Sequence, residues 1–81
     1  DEFIDPIMST LIKNPVIIPN TNNTFMDKNV IYKYLVTESQ NPFTREKLNR
    51  NILDEFNLKP EIVDLNNKLK IKIDNWLDDY L

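Results

Sequence analysis

Near its start the chain reads Asp5-Pro6-Ile7-Met8-Ser9-Thr10-Leu11-Ile12-Lys13-Asn14-Pro15-Val16. This segment is the part of the sequence that says most about the fold. Two Asx-Pro steps bracket a short apolar run. Because a residue before proline avoids the helical region, each step predicts a stiff turn, and the run between them is too short for a stable helix. A second unit of the same kind follows at Asn41-Pro42-Phe43-Thr44-Arg45. Two proline-anchored loops beside one short helix predict a small recognition module.

Composition limits what such a module can do. The 81 residues are enough for one domain, and a hydrophobic content of 41% permits a small core. The chain has no Cys, His or Gly, so disulfides, thiolate or imidazole zinc sites and most catalytic chemistry are excluded. Buried polar side chains, such as Asx groups bonded to backbone amides, are therefore expected to hold the loops.

Charge and hydropathy narrow the range of partners and compartments. The net charge of −3 argues against nucleic-acid binding, which needs clustered Lys and Arg. No apolar run approaches the ~18 residues of a membrane helix, so no membrane partner is expected. A chain without Cys fits a reducing compartment, and we expect a cytoplasmic or nuclear location. The absence of an initial Met leads us to expect a domain of a larger protein.

The pattern along the chain predicts a hairpin followed by a helix. The β-branched run at 16–18 reads as a strand, 20–23 as a turn, and 24–26 as the returning strand. Asn must serve at the positive-φ positions that Gly would normally take. Asp27 is a good N-cap for a helix running to about residue 38. The apolar stripe of that helix comprises Val30, Ile31, Tyr34 and Leu35.

The second half is predicted less completely. Residues 39–47 form the second proline loop, and 48–50 are expected to form a short third strand. Residues 51–64 lack a clean period, although Pro60 suits the first position of a helix. From residue 66 an amphipathic helix runs to the terminus. Its apolar face comprises Leu65, Leu69, Ile73, Trp76, Leu77 and Tyr80. No internal repeat is visible.

This order of elements closely resembles the U-box family of ubiquitin ligases. The resemblance covers nearly the whole chain and is most like the ubiquitin chain-elongation (conjugation factor) branch. It is carried by the motifs at 1–8, 15–19, 26–28, 41–45 and 69–73. It implies an α+β, RING-like ββαβα fold without zinc, built from a hairpin, a central helix and a C-terminal helix. Residues 1–81 would form one such domain, with a family-atypical insertion at 51–65.

The resemblance also implies a mechanism and its residues. Such a domain recruits a ubiquitin-charged conjugating enzyme and promotes transfer of ubiquitin to a substrate lysine or a growing chain. It works by orienting the reactants, with no covalent intermediate and no cofactor or metal. Arg45 would be the catalytic residue that positions the ubiquitin thioester. The residues that would bind the conjugating enzyme are Ile7, Met8, Tyr34, Pro42, Phe43 and Arg45.

One departure from the family pattern concerns a loop side chain. Asn41 stands where the family commonly has Asp, which predicts a weaker bond there because a charge-assisted hydrogen bond is stronger than a neutral one. The implied partners are the charged conjugating enzyme, ubiquitin and a protein substrate bound through other domains. The domain itself is expected to be a monomer.

Two alternatives stay open from the sequence. The first is a U-box-like module without ligase activity that serves protein interaction or dimerisation, for which Trp76 and Tyr80 are available. The second is a small helical adaptor unrelated to ubiquitin, which requires that the hairpin be absent.

Overall fold

The computed structural model describes residues 3–80, with the backbone alone at Tyr80. Predictions for residues 1, 2 and 81 and for the Tyr80 side chain lie outside this range. The described elements are β1 (Pro15–Ile18), β2 (Thr24–Asp27), α1 (Lys28–Thr37), α2 (Arg50–Phe56) and α3 (Pro60–Tyr80). The α+β class, with a hairpin, a central helix and a C-terminal helix, is confirmed.

The hairpin forms where the sequence predicts it. β1 and β2 pair antiparallel, with Pro15 opposite Asp27 and Ile18 opposite Thr24. Asn20, Asn22 and Asn23 have φ values of 59°, 56° and 62°, so asparagine does take the left-handed positions of this glycine-free loop. Residues 3–80 thus exclude the helical adaptor, which required that no hairpin form.

The hairpin lies between two apolar clusters. On one face the buried residues are Val16, Ile18, Met26, Ile31, Leu48 and Leu53, so α1 and α2 cover that face. On the other, Leu69 and Ile73 of α3 are buried with Ile12, and Phe25 packs against them. The alternation of side chains along a strand allows one short hairpin to serve both clusters.

The predicted third strand at 48–50 is wrong. Lys47 makes one isolated bridge to Gln40, and α2 already begins at Arg50. The reason is a helix cap that sequence analysis missed: the Asn49 side chain accepts a hydrogen bond from the Ile52 amide at 2.8 Å. Asn at the N-cap satisfies an amide that would otherwise lack a partner, which favours a helix start over an extended continuation.

The segment at 51–65, predicted to be a family-atypical insertion, contains most of α2 and the first turns of α3. Helix α3 begins at Pro60, six positions before the predicted start at 66. Proline suits this position because its missing N–H belongs to a group of amides that have no partner inside the helix. Glu61 in the same turn interacts favourably with the helix dipole.

Asn57, at the end of α2, closes the outer edge of β1. Its Oδ1 accepts from the Ile17 amide at 2.8 Å, and its Nδ2 donates to the Ile17 carbonyl at 3.0 Å. The side-chain amide thereby pairs with β1 as a neighbouring strand would. Asn66 of α3 donates to the same Oδ1 at 2.9 Å. Asn57, supported by Asn66, therefore protects a sheet edge that would otherwise be open.

Candidate docking loops

The first loop is organised around a buried carboxylate. Asp5 is fully buried, and its Oδ1 accepts from the amides of Ile7 and Met8 at 2.9 and 3.0 Å. Its Oδ2 accepts from the Asp27 amide at 2.9 Å, which joins the loop to the end of β2. Because the loop backbone is held from inside, the apolar side chains of Ile7 and Met8 remain 45% and 58% exposed.

Asp27 makes a second tie to the same loop. Its Oδ1 accepts from the amides of Lys13 and Asn14 at 2.9 and 3.0 Å. Asp27 does occupy the N-cap position of α1, but its side chain makes no capping hydrogen bond. The prediction that this side chain caps the helix is therefore wrong, because both loop amides compete for the carboxylate. The Asp27 side chain instead ties the end of β2 to the first loop.

The second loop is organised around Asn41. This side chain is 2% exposed, and its Oδ1 accepts from the amides of Phe43 and Thr44 at 2.9 and 3.2 Å. Its Nδ2 donates to the Pro19 carbonyl at 2.8 Å, which joins the loop to the hairpin. An aspartate has no hydrogen to donate to that carbonyl. The Asn found here is therefore matched to its acceptor.

The two loops repeat one backbone structure. The amide of Asp5 donates to Thr10, and the amide of Asn41 donates to Glu46 in the same relative position, at 2.7 Å in both. Ser9 and Arg45, again equivalent, have φ values of 56° and 64°. Sequence analysis saw no internal repeat because few side chains are shared. The available signal was the Asx-Pro step followed by a buried aliphatic residue, Ile12 in one loop and Leu48 in the other.

The structure brings three of the predicted contact residues to one cleft. Ile7 and Met8 of the first loop and Tyr34 of α1 line a space of about 550 Å³. Tyr34 also packs against the core, so the same side chain contributes to the core and to the wall of the cleft. The lining also includes residues that the sequence did not mark as contacts, among them Leu11 and Lys33.

The other predicted residues lie together on the second loop and do not line that cleft. Pro42 is half-buried, and Phe43 is 41% exposed. Arg45 is exposed, and its guanidinium makes no hydrogen bond, ion pair or ring contact within residues 3–80. Its φ of 64° is unfavourable for a residue with a Cβ, by about 1–2 kcal/mol. The backbone thus holds a free cation in a strained conformation.

Within residues 3–80, no group of three or more acidic side chains is placed to hold a metal ion. No helix in the same range is both long and apolar enough to cross a membrane. What the loops do offer is a pair of stiff, solvent-facing bends with apolar side chains, which suits protein recognition.

Comparison with known proteins gives a consistent result. A family model described as "U-box domain" matches residues 1–80. The chain is 39% identical over 77 residues to "Ubiquitin conjugation factor E4 A" of Mus musculus, which is 95% of this chain and 6% of that protein. It is 36% identical over 77 residues to "Probable ubiquitin conjugation factor E4" of Arabidopsis thaliana, again 95% of this chain and 6% of that protein. Over 48 residues (59% of this chain, 5% of the relative) it is 42% identical to "E4 ubiquitin-protein ligase UFD2" of Saccharomyces cerevisiae. The chain thus spans about 6% of the length of the first two relatives.

Proposed function

The chain belongs to the U-box domain family, and on that premise we propose that it acts as a ubiquitin-protein ligase domain. It recruits a ubiquitin-charged conjugating enzyme and promotes ubiquitin transfer to a substrate lysine or a growing chain. Two of the relatives above are named as ubiquitin conjugation factors and the third as an E4 ubiquitin-protein ligase, which supports chain elongation as the setting. Transfer proceeds directly from the conjugating enzyme, because this chain has no Cys to carry ubiquitin as a thioester.

The observation that carries this proposal is the exposed apolar pair Ile7 and Met8 on a loop held by the buried Asp5 carboxylate. Exposed apolar side chains on a rigid backbone lose little conformational entropy when a partner covers them. Tyr34 supplies a wall of the same cleft. In a small interface, a few such anchors contribute most of the binding energy.

The second loop completes the proposed surface. Pro42 and Phe43 contact the conjugating enzyme from the other end of α1, since the second loop follows the C-terminus of that helix. Arg45, with its guanidinium unpaired in the described structure, is available to bridge the conjugating enzyme and ubiquitin. Holding ubiquitin in one orientation brings the thioester close to an attacking lysine, which accelerates the reaction without acid–base chemistry.

A lysine-discharge assay tests this function. Conjugating enzymes charged with ubiquitin are mixed with free lysine, with and without this chain, and loss of the thioester is followed over time. We expect faster discharge for at least one conjugating enzyme, and loss of the acceleration in Ile7→Ala. Ile52→Ala is the matched control, because Ile52 is similarly exposed (40%) but lies on α2. Unchanged discharge across a broad panel of conjugating enzymes contradicts the proposal.

The alternative is a non-catalytic dimerisation module, and exposed apolar residues on α3 are what favour it. Ile71 and Trp76 are 59% and 42% exposed. Trp76 also meets the Phe3 ring, with centroids 5.9 Å apart, so part of its surface is already used. We propose a monomer. Sedimentation velocity distinguishes a monomer from a dimer. A dimer that also fails to accelerate discharge supports the alternative.

A further inference from the structure

A second cleft, of about 800 Å³, lies beside α1, between β1 and the inserted segment. Its walls include Lys28 and Tyr32 of α1, Arg50 of α2, and Leu58, Val63 and Lys70 around α3. This volume falls in the range of about 300–1,000 Å³ that is usual for ligand clefts. The segment at 50–70 forms more than half of the lining.

The two clefts use opposite faces of α1. Lys28 and Tyr32 line this one, whereas Val30 and Tyr34 line the cleft of the first loop. Residues two positions apart in a helix point about 200° apart around its axis. A partner in the second cleft therefore does not compete for the surface proposed to bind a conjugating enzyme.

The charge of the lining differs in sign from that of the chain. Three cations, Lys28, Arg50 and Lys70, face the cleft with one carboxylate, Asp54. The whole chain has a net charge of −3. Asp54 is already engaged, because it accepts from the Tyr32 hydroxyl and lies 3.9 Å from the Arg50 Nε. Asp54 is therefore held within the wall of the cleft. Since it is one carboxylate against three cations, the lining carries excess positive charge.

Two of the cations have capacity for a ligand. The Lys28 ammonium lies 5.5 Å from the Tyr32 ring centroid and has no carboxylate partner within residues 3–80. The Arg50 guanidinium stacks at 4.1 Å on the same ring, and its side chain is 67% exposed. Lys70 has less capacity for a ligand, since its ammonium donates to the Lys13 carbonyl at 2.8 Å and pairs with Asp74 at 3.3 Å.

Apolar and amide groups accompany these cations. Leu58 is 74% exposed and Val63 is 38% exposed, so the cleft has an uncovered apolar side. Asn14 and Asn67 are exposed amides on its rim. Amide side chains can both donate and accept, which matches the alternating groups of a peptide backbone. An inorganic anion would leave the apolar side uncovered.

From these groups we propose that the second cleft binds an extended acidic peptide segment of a partner protein. Carboxylates of the peptide pair with Lys28 and Arg50, and an aliphatic side chain packs on Leu58 and Val63. The site is separate from the proposed ligase surface and can be occupied together with it. It gives the domain a means to hold a substrate or another subunit while a conjugating enzyme is bound.

Fluorescence anisotropy tests the proposal with a labelled ten-residue peptide of alternating Asp and Leu. Probes of alternating Lys and Leu, of alternating Asp and Ser, and a thymidine oligonucleotide accompany it. We expect binding of the Asp-Leu peptide, at least tenfold weaker in Lys28→Glu and about fivefold weaker in Leu58→Ser. Lys59→Glu is the matched control, because it makes the same charge change on an exposed residue outside the cleft.

The other possible results of this experiment each overturn or support the proposal. No binding of the Asp-Leu peptide at 1 mM overturns the proposal, as does an equal loss in Lys28→Glu and Lys59→Glu. Tighter binding of the oligonucleotide or of the Asp-Ser peptide than of the Asp-Leu peptide also overturns the proposal. Neither of these two probes has an aliphatic side chain that could pack on Leu58. Amide chemical shifts that change at Lys28, Arg50 and Val63, and not at Ile7 or Met8, support the assigned cleft. This readout does not depend on ligase activity.

Discussion

Asp5 and Asn41 occupy equivalent positions in two loops of the same backbone structure, and they differ in the hydrogen bond made by the second side-chain atom. The Asp5 Oδ2 accepts from the Asp27 amide at 2.9 Å. The Asn41 Nδ2 donates to the Pro19 carbonyl at 2.8 Å. Each loop is thus attached to one end of β1 or β2, and each residue type fits the group that it meets. In this glycine- and cysteine-free chain, these two side chains connect the loops to the hairpin.

We expect the stability of the domain to depend on the hydrogen-bonding groups of the Asp5 and Asn41 side chains more than on their size. Asn41→Asp places a carboxylate oxygen against the Pro19 carbonyl, and Asp5→Asn can point an amide donor at the Asp27 amide. We expect each change to lower the free energy of unfolding by about 1–3 kcal/mol, because a buried polar group loses its partner. Urea denaturation followed by circular dichroism measures this.

Asn29→Asp is the control for that pair. It makes the same chemical change on an exposed residue in the first turn of α1, where a negative charge is favourable. A stability of Asn41→Asp equal to that of Asn29→Asp would contradict the assigned role of the Pro19 bond.

We expect the Asn57 side chain to stabilise the outer edge of β1. Asn57→Ala removes the bonds to the Ile17 amide and carbonyl and to the Asn66 side chain. We expect a loss of about 2–4 kcal/mol from these unsatisfied groups. Hydrogen exchange at the Ile17 amide should accelerate more than at Met26, which lies within the hairpin. Asn67→Ala, on an exposed residue, should change stability by less than about 0.5 kcal/mol. Equal acceleration at both amides means that Asn57 does not cap the edge.

Arg45 offers a test that separates stability from function. Arg45→Gly relieves the positive φ, so we expect unfolding free energy to be unchanged or higher by up to about 1 kcal/mol. The same change removes the guanidinium, and discharge of the charged conjugating enzyme should slow markedly. Ser9→Gly relieves the equivalent backbone position at φ 56° without removing a cation, and its discharge rate should match the unmodified chain. Normal discharge by Arg45→Gly rules out the role proposed for Arg45.

Ile7 should act in binding and not in folding. Because Ile7 is 45% exposed, Ile7→Ala should change stability by less than about 1 kcal/mol. Affinity for a conjugating enzyme, measured by titration calorimetry, should fall below detection. Ile12→Ala, in the same loop but fully buried, should instead cost about 2–5 kcal/mol of stability. If Ile7→Ala binds as tightly as the unmodified chain, the first loop is not the docking site.

The features predicted correctly from sequence depend on neighbouring residues. The hairpin follows from a β-branched run, an Asn-rich turn and a returning strand, and α1 follows from an apolar stripe. Pro60 suits a first helical position because its constraint is local, although the amphipathic pattern placed the start of α3 only at 66. The exposed placement of Ile7, Met8, Phe43 and Arg45 came from a family resemblance, and their functional roles stay predictions.

The two errors have different causes. The strand predicted at 48–50 is wrong because the Asn49 side chain caps α2 through the Ile52 amide, three residues along the chain, which is a local signal present in the sequence. Asp27 is a good N-cap residue, but the amides of Lys13 and Asn14 take its carboxylate. This second result cannot be obtained from a short window, since the two competing donors approach Asp27 only when the chain folds.

Local chemistry alone therefore specified the hairpin, α1 and the amphipathic part of α3, and the need for buried Asx groups in a chain without Cys or His. The partner of each Asx group was specified only by packing: Asp27 for Asp5, Pro19 for Asn41, and Ile17 for Asn57. The physical reason is that a hydrogen bond requires two atoms within about 3 Å, and residues far apart in the chain reach that distance only through the assembled core.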